Sequence, residues 1–278
     1  MPELPEVETV RRGLALVLTG QQVTQVDAQG VAKLRRPQAP QALTERLLGG
    51  VMGEVRRRGK YLLLEVKGRG ALMVHLGMTG RLEWVDGRAP AEKHTHLRLG
   101  FAGRGEALRF VDPRRFGMVV WIEEGAEATD PSLSQLGAEP LEGTLEALIE
   151  TLGGGLKAER RAMKLALMDQ SLLAGLGNIY VCEALWRAGI SPRRAGQEVT
   201  PAEVARLGGE VRAVLEEALA SKGTTLRDYR GVDGSAGGFG ERLAVYGREA
   251  EGCARCAGVI VKETQGGRST FWCPGCQR

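Results

Sequence analysis

Met1-Pro2-Glu3-Leu4-Pro5-Glu6-Val7-Glu8-Thr9 opens the chain, and the reading of this stretch decides what the remainder has to provide. Pro5 suits a first helical turn, where a missing N–H costs nothing, and Val7, Val10, Leu14, Val17 and Leu18 recur at helical spacing. The stretch predicts an amphipathic helix with acidic residues offsetting the macrodipole at its head. Methionine before a small residue such as proline is normally removed. Removal of Met1 leaves Pro2 with a free secondary amine, which attacks an electrophilic carbon once deprotonated, whereas an amide nitrogen does not. An α-amino group has a reference pKa of roughly 7.7–8.0, so a useful fraction is neutral near physiological pH. Glu3, Glu6 and Glu8 lie close to that amine in sequence, and a carboxyl there supplies a proton in the general-acid role. Charge at a helix start is the plainer reading of Glu6 and Glu8; Glu3, adjacent to Pro2, is the stronger acid candidate.

The 278 residues predict two domains, with ample apolar content, 43%, for one or two cores. Net charge is +4, a mild excess that suits a polyanion partner without demanding one. Clustering says more than the sum. Arg56, Arg57, Arg58 and Lys60 form one basic group, Arg114 and Arg115 a second, and Lys157, Arg160, Arg161 and Lys164 a third. No apolar run reaches the roughly 18 residues of a membrane span. Arg11-Arg12 and the apolar residues after them imitate a secretory signal poorly, because three glutamates precede them and no small-residue cleavage site follows. Five cysteines, four of them in two close pairs, are not a secreted disulfide framework. A cytoplasmic protein is expected.

Between residues 20 and 125 short apolar runs (Tyr61–Val66, Leu72–Leu76, Leu97–Phe101, Ala107–Val111, Met118–Ile122) alternate with glycine, proline and charged turns. A spacing of about 8–12 residues argues for an antiparallel β-sandwich or barrel. From 131 onward the character is helical, with helices expected over 144–151, 161–169, 179–188 and 201–220; Thr200-Pro201-Ala202-Glu203 reads as a cap. Five glycines within 231–241 predict a mobile loop. The fold class expected is α+β and multidomain: an N-terminal helix and β-sandwich over 1–130, a helical domain over 131–243 that includes the glycine-rich loop, and a cysteine module over 244–278.

That module carries the clearest chemical signal. Cys253-x-x-Cys256, sixteen intervening residues, then Cys273-x-x-Cys276 supply four thiolates for one tetrahedral Zn²⁺. Four protein ligands leave no open position, so the metal is read as structural. Gly266-Gly267-Arg268 looks like a hairpin tip that projects an arginine, solvated or on a phosphate. Ser171–Gly177 has the composition of a tight double turn, and Asn178 opens the next helix as a cap or an anion contact. Cys182 reads as an inert core residue. The segments 75–80 and 112–117 read as turns; taken singly, Met78 and Phe116 are more often core side chains. Lys60 at a strand start is usually a solvated edge. His94 and His96, two apart beside a strand and with no carboxylate or cysteine completing a site nearby, make a weak metal site.

PELPEVETV followed by RRGL, RGKYLLL around Lys60, LMDQSLLAGLGNIYVCEALWRAGISP and Tyr246-Gly247-Arg248 before the first knuckle resemble the bacterial formamidopyrimidine-DNA glycosylase family. The resemblance implies a helix-two-turns-helix motif in the helical domain and a zinc finger that contacts DNA. It implies a bifunctional glycosylase and apurinic/apyrimidinic lyase for oxidised purines in duplex DNA, working as a monomer. Pro2 would form the Schiff base and Glu3 would act as acid at the sugar. Glu6 would stabilise the iminium, and Lys60 and Arg268 would serve β- and δ-elimination. Met78, Arg114 and Phe116 would fill the space of an extruded nucleotide, with Arg114 facing the orphaned cytosine. His94, Arg160, Lys164 and Asn178 would contact the DNA, and the glycine-rich loop would cap the lesion. Glu159 departs from the pattern, standing where relatives often carry lysine. Two alternatives stay open: a sister endonuclease VIII activity on oxidised pyrimidines, and a non-catalytic zinc-ribbon DNA-binding protein.

Overall fold

The computed structural model describes residues 2–225 and 229–278. The chain forms two compact units, Met1–Ser134 with Ser221–Gly238, and Gln135–Ala220 with Phe239–Arg278. Two differences from the expected boundaries follow. Residues 221–225 and 229–238, assigned from sequence to the helical domain, pack with the first unit, and the cysteine module clusters with the helices.

In the first unit, α1 (Leu4–Leu18) is the expected N-terminal helix. Leu4, Val7, Val10, Leu14 and Leu18 are at most 1% exposed, one stripe at helical spacing pressed onto a core. Two four-stranded antiparallel sheets supply that core. One runs in the order β1 (Val23–Asp27), β6 (Thr95–Phe101), β7 (Glu106–Val111), β5 (Arg81–Asp86). The other runs β2 (Met52–Arg58), β3 (Tyr61–Val66), β4 (Gly70–His75), β8 (Met118–Glu123). Alternation sets which side chains enter the core: Leu62, Leu64 and Val66 of β3 join Leu72 and Val74 of β4, Leu97 and Leu99 of β6 and the α1 stripe. The α2 helix (Pro40–Leu47) packs on β1. All five strands expected from sequence form. β1, β2 and β5 were missed because their exposed faces carry Gln, Glu and Arg, which dilutes the apolar signal.

The second unit holds α3 (Leu145–Leu156), α4 (Met163–Leu167), α5 (Asn178–Ala188), α6 (Pro201–Ala220) and a hairpin of β9 (Val261–Gln265) and β10 (Arg268–Trp272). The α6 cap forms as expected, with Glu203 N–H donating to Thr200 Oγ1 at 3.3 Å and Thr200 N–H to Glu203 Oε2 at 2.8 Å. Gln170 shapes the double turn before α5: its amide oxygen accepts from Gly175 N–H at 2.9 Å, and its amide nitrogen donates to Leu176 O at 2.8 Å. Gly189, at φ +70, closes α5 in the left-handed conformation a C-terminal cap requires. Among the described residues no helix is long and apolar enough to cross a membrane.

Candidate functional site

The head of α1 is buried. Pro2 is buried in the chain carrying Met1, Glu3 is 2% exposed and Glu6 is 1% exposed. Met1 itself, on whose removal the amine depends, lies outside the described residues. Glu3 precedes the first helical residue, and its N–H donates to Glu6 Oε2 at 2.8 Å, which fixes the turn that leads from Pro2 into the helix. The two strands that flank Lys60 both pack on α1. Lys60 occupies the second position of the two-residue turn joining β2 to β3, after Gly59 at φ +55, as a type II′ turn asks. It is only 7% exposed, so it is not a solvated edge residue.

His75 was not singled out from sequence. It pairs with Tyr61 across the sheet, packs against that ring at a tilt with centroids 4.8 Å apart, and accepts Gly77 N–H on Nδ1 at 3.1 Å. Burial first, then the charges of Lys60 and Arg35, push its pKa down to about 4. A neutral imidazole thus stands beside the Lys60 ammonium.

The expected DNA-contacting residues of this unit converge on Asp112, which is fully buried. Its Oδ1 accepts from Thr79 Oγ1 at 2.6 Å and from Arg114 N–H at 3.3 Å; Oδ2 accepts from Gly117 N–H at 2.8 Å. Its own N–H donates to His94 O at 3.1 Å, and its carbonyl lies 2.9 Å from His96 Nε2. The Asp112 side chain therefore draws the Met78 turn and the Arg114–Phe116 turn together, and its main chain adds His94. Gly77 completes the join, because a Cβ there would lie 2.5 Å from Phe116 C. Met78 and Phe116 are 40% and 45% exposed, loop tips and not core, and the Arg114 guanidinium sits 4.8 Å from the Phe116 ring centre. Arg115, at φ +59, takes the left-handed conformation that turns the chain between them.

In the second unit one expected contact is corrected. Lys164 is fully buried and does not extend a phosphate track. Its ammonium donates to Ser269 O at 2.8 Å and Thr270 Oγ1 at 2.6 Å, because a buried charge needs such partners. Asn178 does not cap α5, whose cap residue is Gly177. Its side-chain nitrogen donates to the same Ser269 carbonyl at 2.9 Å and reaches Tyr246 Oη at 3.3 Å. The result fixes the backbone beside Arg268, the exposed first residue of β10. Arg160 is exposed. Glu159 takes Arg161 for itself, accepting from its N–H at 2.8 Å and its guanidinium at 2.6 Å, and Asp169 accepts from the same guanidinium at 3.0 Å. Two of the four charges in that basic cluster are thereby committed within the protein.

Cys253, Cys256, Cys273 and Cys276 bring their sulfurs within 4.8 Å of one another. Cys253–Cys276 and Cys256–Cys273 separations of 3.8 and 3.5 Å match the roughly 3.8 Å edge of a tetrahedron with Zn–S bonds of about 2.3 Å. Gly258 and Gly275 leave room for this, since a Cβ on either would stand 3.0–3.2 Å from Cys256 Sγ. The thiolate set fits one structural Zn²⁺.

A capped buried arm, a double-turn helix pair and a zinc hairpin with an exposed arginine define a nucleic-acid-processing protein of the helix-two-turns-helix and zinc-finger class. Three family models match in succession: the formamidopyrimidine-DNA glycosylase N-terminal domain over residues 1–119, the H2TH domain of the same glycosylase over 136–230, and the zinc finger found in FPG and IleRS over 251–278. The formamidopyrimidine-DNA glycosylases of Thioalkalivibrio sulfidiphilus and Paracoccus denitrificans are 48% and 45% identical, each over 100% of both chains. Among solved structures, a Lactococcus lactis FPG point mutant with Fapy-dG-containing DNA matches at TM-score 0.90 and 33% identity over 100% of both chains. The Lactococcus lactis Fpg with abasic-site DNA matches at 0.89 and 33% over 99% of both. The chain belongs to the formamidopyrimidine-DNA glycosylase family.

Three outcomes are expected from this geometry. His75 has a folded pKa below its unfolded value, so its contribution to stability is full above about pH 6.5 and lost as pH falls toward 4. Urea unfolding at pH 7 and pH 5 should show wild type losing about 2 kcal/mol more than His75→Asn; equal losses would refute the assignment. Glu159→Lys should tighten duplex binding and steepen its log–log salt slope by about 1, read by fluorescence anisotropy across a salt series. An unchanged slope would mean that Arg161 and position 159 do not face the phosphates. Chelating the zinc, or Cys256→Ser, should melt the 261–272 hairpin and weaken DNA binding, while the near-ultraviolet signal of Trp84 and Trp121 in the first unit persists.

Proposed function

We propose that the chain is a bifunctional DNA glycosylase and abasic-site lyase of base excision repair that removes oxidised purines, including 8-oxoguanine and formamidopyrimidines, from duplex DNA. The observation that carries this reading is the Pro2–Glu3 head of α1, held by Glu6 and backed by strands whose turn presents a buried Lys60. After Met1 is removed, the Pro2 amine attacks the deoxyribose C1′ and the bond to the base breaks. Glu3 protonates the ring oxygen as the sugar opens. The iminium acidifies C2′–H; loss of that proton expels the 3′ phosphate in β-elimination, served by Lys60, and δ-elimination, served by Arg268, expels the 5′ phosphate. Glu6 lies beside the iminium as a fixed negative charge.

Extrusion of the base costs a few kcal/mol of lost stacking. Met78 and Phe116, exposed on turns braced by Asp112, are the apolar wedges, and Arg114 reads the orphaned base. His94, Arg160 and Asn178 contact the DNA. Zn²⁺ is structural, holding the hairpin that presents Arg268. The substrate places the protein with the nucleoid in the cytoplasm, acting as a monomer on duplexes that carry a lesion or an abasic site.

Borohydride trapping on a duplex with 8-oxoguanine opposite cytosine tests the reading, with intact mass confirming Met1 removal. A covalent adduct is expected, and Lys60→Met should slow strand cleavage by about 10²-fold or more. Absence of an adduct from processed protein would make it a non-catalytic binder; preference for thymine glycol over 8-oxoguanine would move it to the pyrimidine branch.

A further inference from the structure

The Glu8 carboxylate, on the second turn of α1, gathers three guanidinium groups. Arg11 Nε donates to its Oε2 at 2.9 Å, and Arg11 Nη2 and Arg12 Nε each donate to its Oε1 at 2.9 Å. Those two partners lie on the helix itself. The third comes from β2, 49 residues on: Arg57 Nε donates to Glu8 Oε2 at 3.2 Å. The Arg57 and Glu8 side chains are 7% and 12% exposed. Burial alone would push the Glu8 carboxyl up, but the bonds and charge of Arg11, with help from Arg12 and Arg57, hold its pKa below the ordinary value. Glu8 is therefore an ionised acceptor near neutral pH and not a proton donor.

The same guanidinium reaches on into the β2–β3 turn. Arg57 Nη1 donates to Gly59 O at 3.0 Å, and that carbonyl belongs to the peptide bond that Lys60 N completes. In a two-residue hairpin this central peptide decides the turn type. With Gly59 at φ +55, one orientation gives type II′, and a flip gives type I′, which would force Lys60 to positive φ at a steric cost. Lys60 is not at positive φ. Arg57 holds the Gly59 carbonyl in the first orientation, and Glu8 holds Arg57. We propose that Glu8 and Arg57 are positioning residues that fix the Lys60 turn against the helix headed by Pro2. The inference rests on the proposed glycosylase and lyase reading, in which Lys60 serves β-elimination. Neither side chain is assigned a contact with the sugar; both act through the backbone that carries Lys60. An arginine suits this task because two donors on one rigid plane meet two acceptors at once, whereas a lysine keeps the charge and loses the fixed span. Glutamine at position 8 would set an NH₂ against guanidinium donors. A separate tie, Arg11 Nη1 on Val55 O at 3.2 Å, keeps α1 docked on β2 when position 57 changes.

The test follows a duplex with a pre-formed abasic site under single-turnover conditions, in full-length protein with Met1 removed. Timed borohydride quenching reads Schiff-base formation, and strand scission without borohydride reads β-elimination. Arg57→Lys and Glu8→Gln should each slow scission by about tenfold, while adduct formation changes by less than about twofold. Added to Lys60→Met, Arg57→Lys should slow scission no further, because its effect runs through Lys60. Equal slowing of both steps, no slowing of either, or a further loss on top of Lys60→Met overturns the inference. A split in Arg57→Lys alone also overturns it, since Glu8 would then take no part. Should Arg57→Lys not fold, Glu8→Gln, alone and combined with Lys60→Met, carries the test. Unslowed scission in Lys60→Met by itself refutes the elimination role of Lys60, a result distinguishable because it involves neither position 8 nor position 57.

Discussion

An ionised side chain taken out of water costs several kcal/mol, of order 3–5 when its partner is lost, unless other groups replace its hydration. Among the described residues four such groups are buried at 1% exposure or less: Glu6, Asp112, Lys164 and Glu183. Three are met by main-chain groups of a loop, and Lys164 by a carbonyl of strand β10. Glu6 takes the N–H groups of Glu3 and Thr224; Asp112 takes those of Arg114 and Gly117. Lys164 donates to the Ser269 carbonyl, and Glu183 accepts from the N–H groups of Ala244, Val245 and Tyr246 at 2.9–3.0 Å. Desolvation raises the Glu183 pKa while those three donors oppose the rise. The requirement is reciprocal, because a buried loop amide also needs a partner. The charge and the loop therefore fix one another.

The loops so fixed carry the proposed chemistry: the nucleophilic arm, the wedge turns, the approach to the zinc finger and the strand that begins at Arg268. A reacting group must be held to within a fraction of an ångström, and loops rarely manage this alone. Here regular elements supply the rigidity and a single ionised side chain transmits it. Asp112 is the densest case. It holds Thr79 and Gly117, so the Met78 and Phe116 turns share one brace and cannot drift independently.

Much of this was legible in the sequence. The apolar stripe of α1, the sandwich strands, the α6 cap and the four cysteines each follow from a period or a spacing, and each is found. The proposed site could be read only where a residue's chemistry is local, as with Pro2 and Glu3, or where a motif carried it. Tertiary partnership was not legible. Lys164 and Arg160 sit in one basic cluster four residues apart, yet one is fully buried and the other exposed. Nothing in the local pattern reveals that a carbonyl at 269 waits for that ammonium. His75 was missed for the same reason, since its neutrality depends first on burial in the fold and then on Lys60 and Arg35, which are distant in sequence. A count of basic residues likewise overstates the DNA footprint, because Glu159 and Asp169 have already engaged Arg161.

The zinc hairpin shows why such hidden partnerships matter. A two-stranded ribbon is marginal in water, and β9 buries little, so the hairpin cannot hold its own tip. Metal secures the base through the four thiolates. Nearer the tip, Lys164 and Asn178 converge on the Ser269 carbonyl, and the turn rests on α4, where a Cβ on Gly266 would come 2.7 Å from Leu165 Cδ2. Gly266 and Gly267, at φ +54 and +72, make the tight turn that places Arg268 one residue from that anchored carbonyl. Its backbone is therefore fixed while its guanidinium stays in solvent. A long side chain on an immobile stem loses little entropy until it meets a phosphate, and it meets one from a defined direction. Zinc alone would leave the stem free to swing, and the buried lysine alone would leave the base of the ribbon unformed.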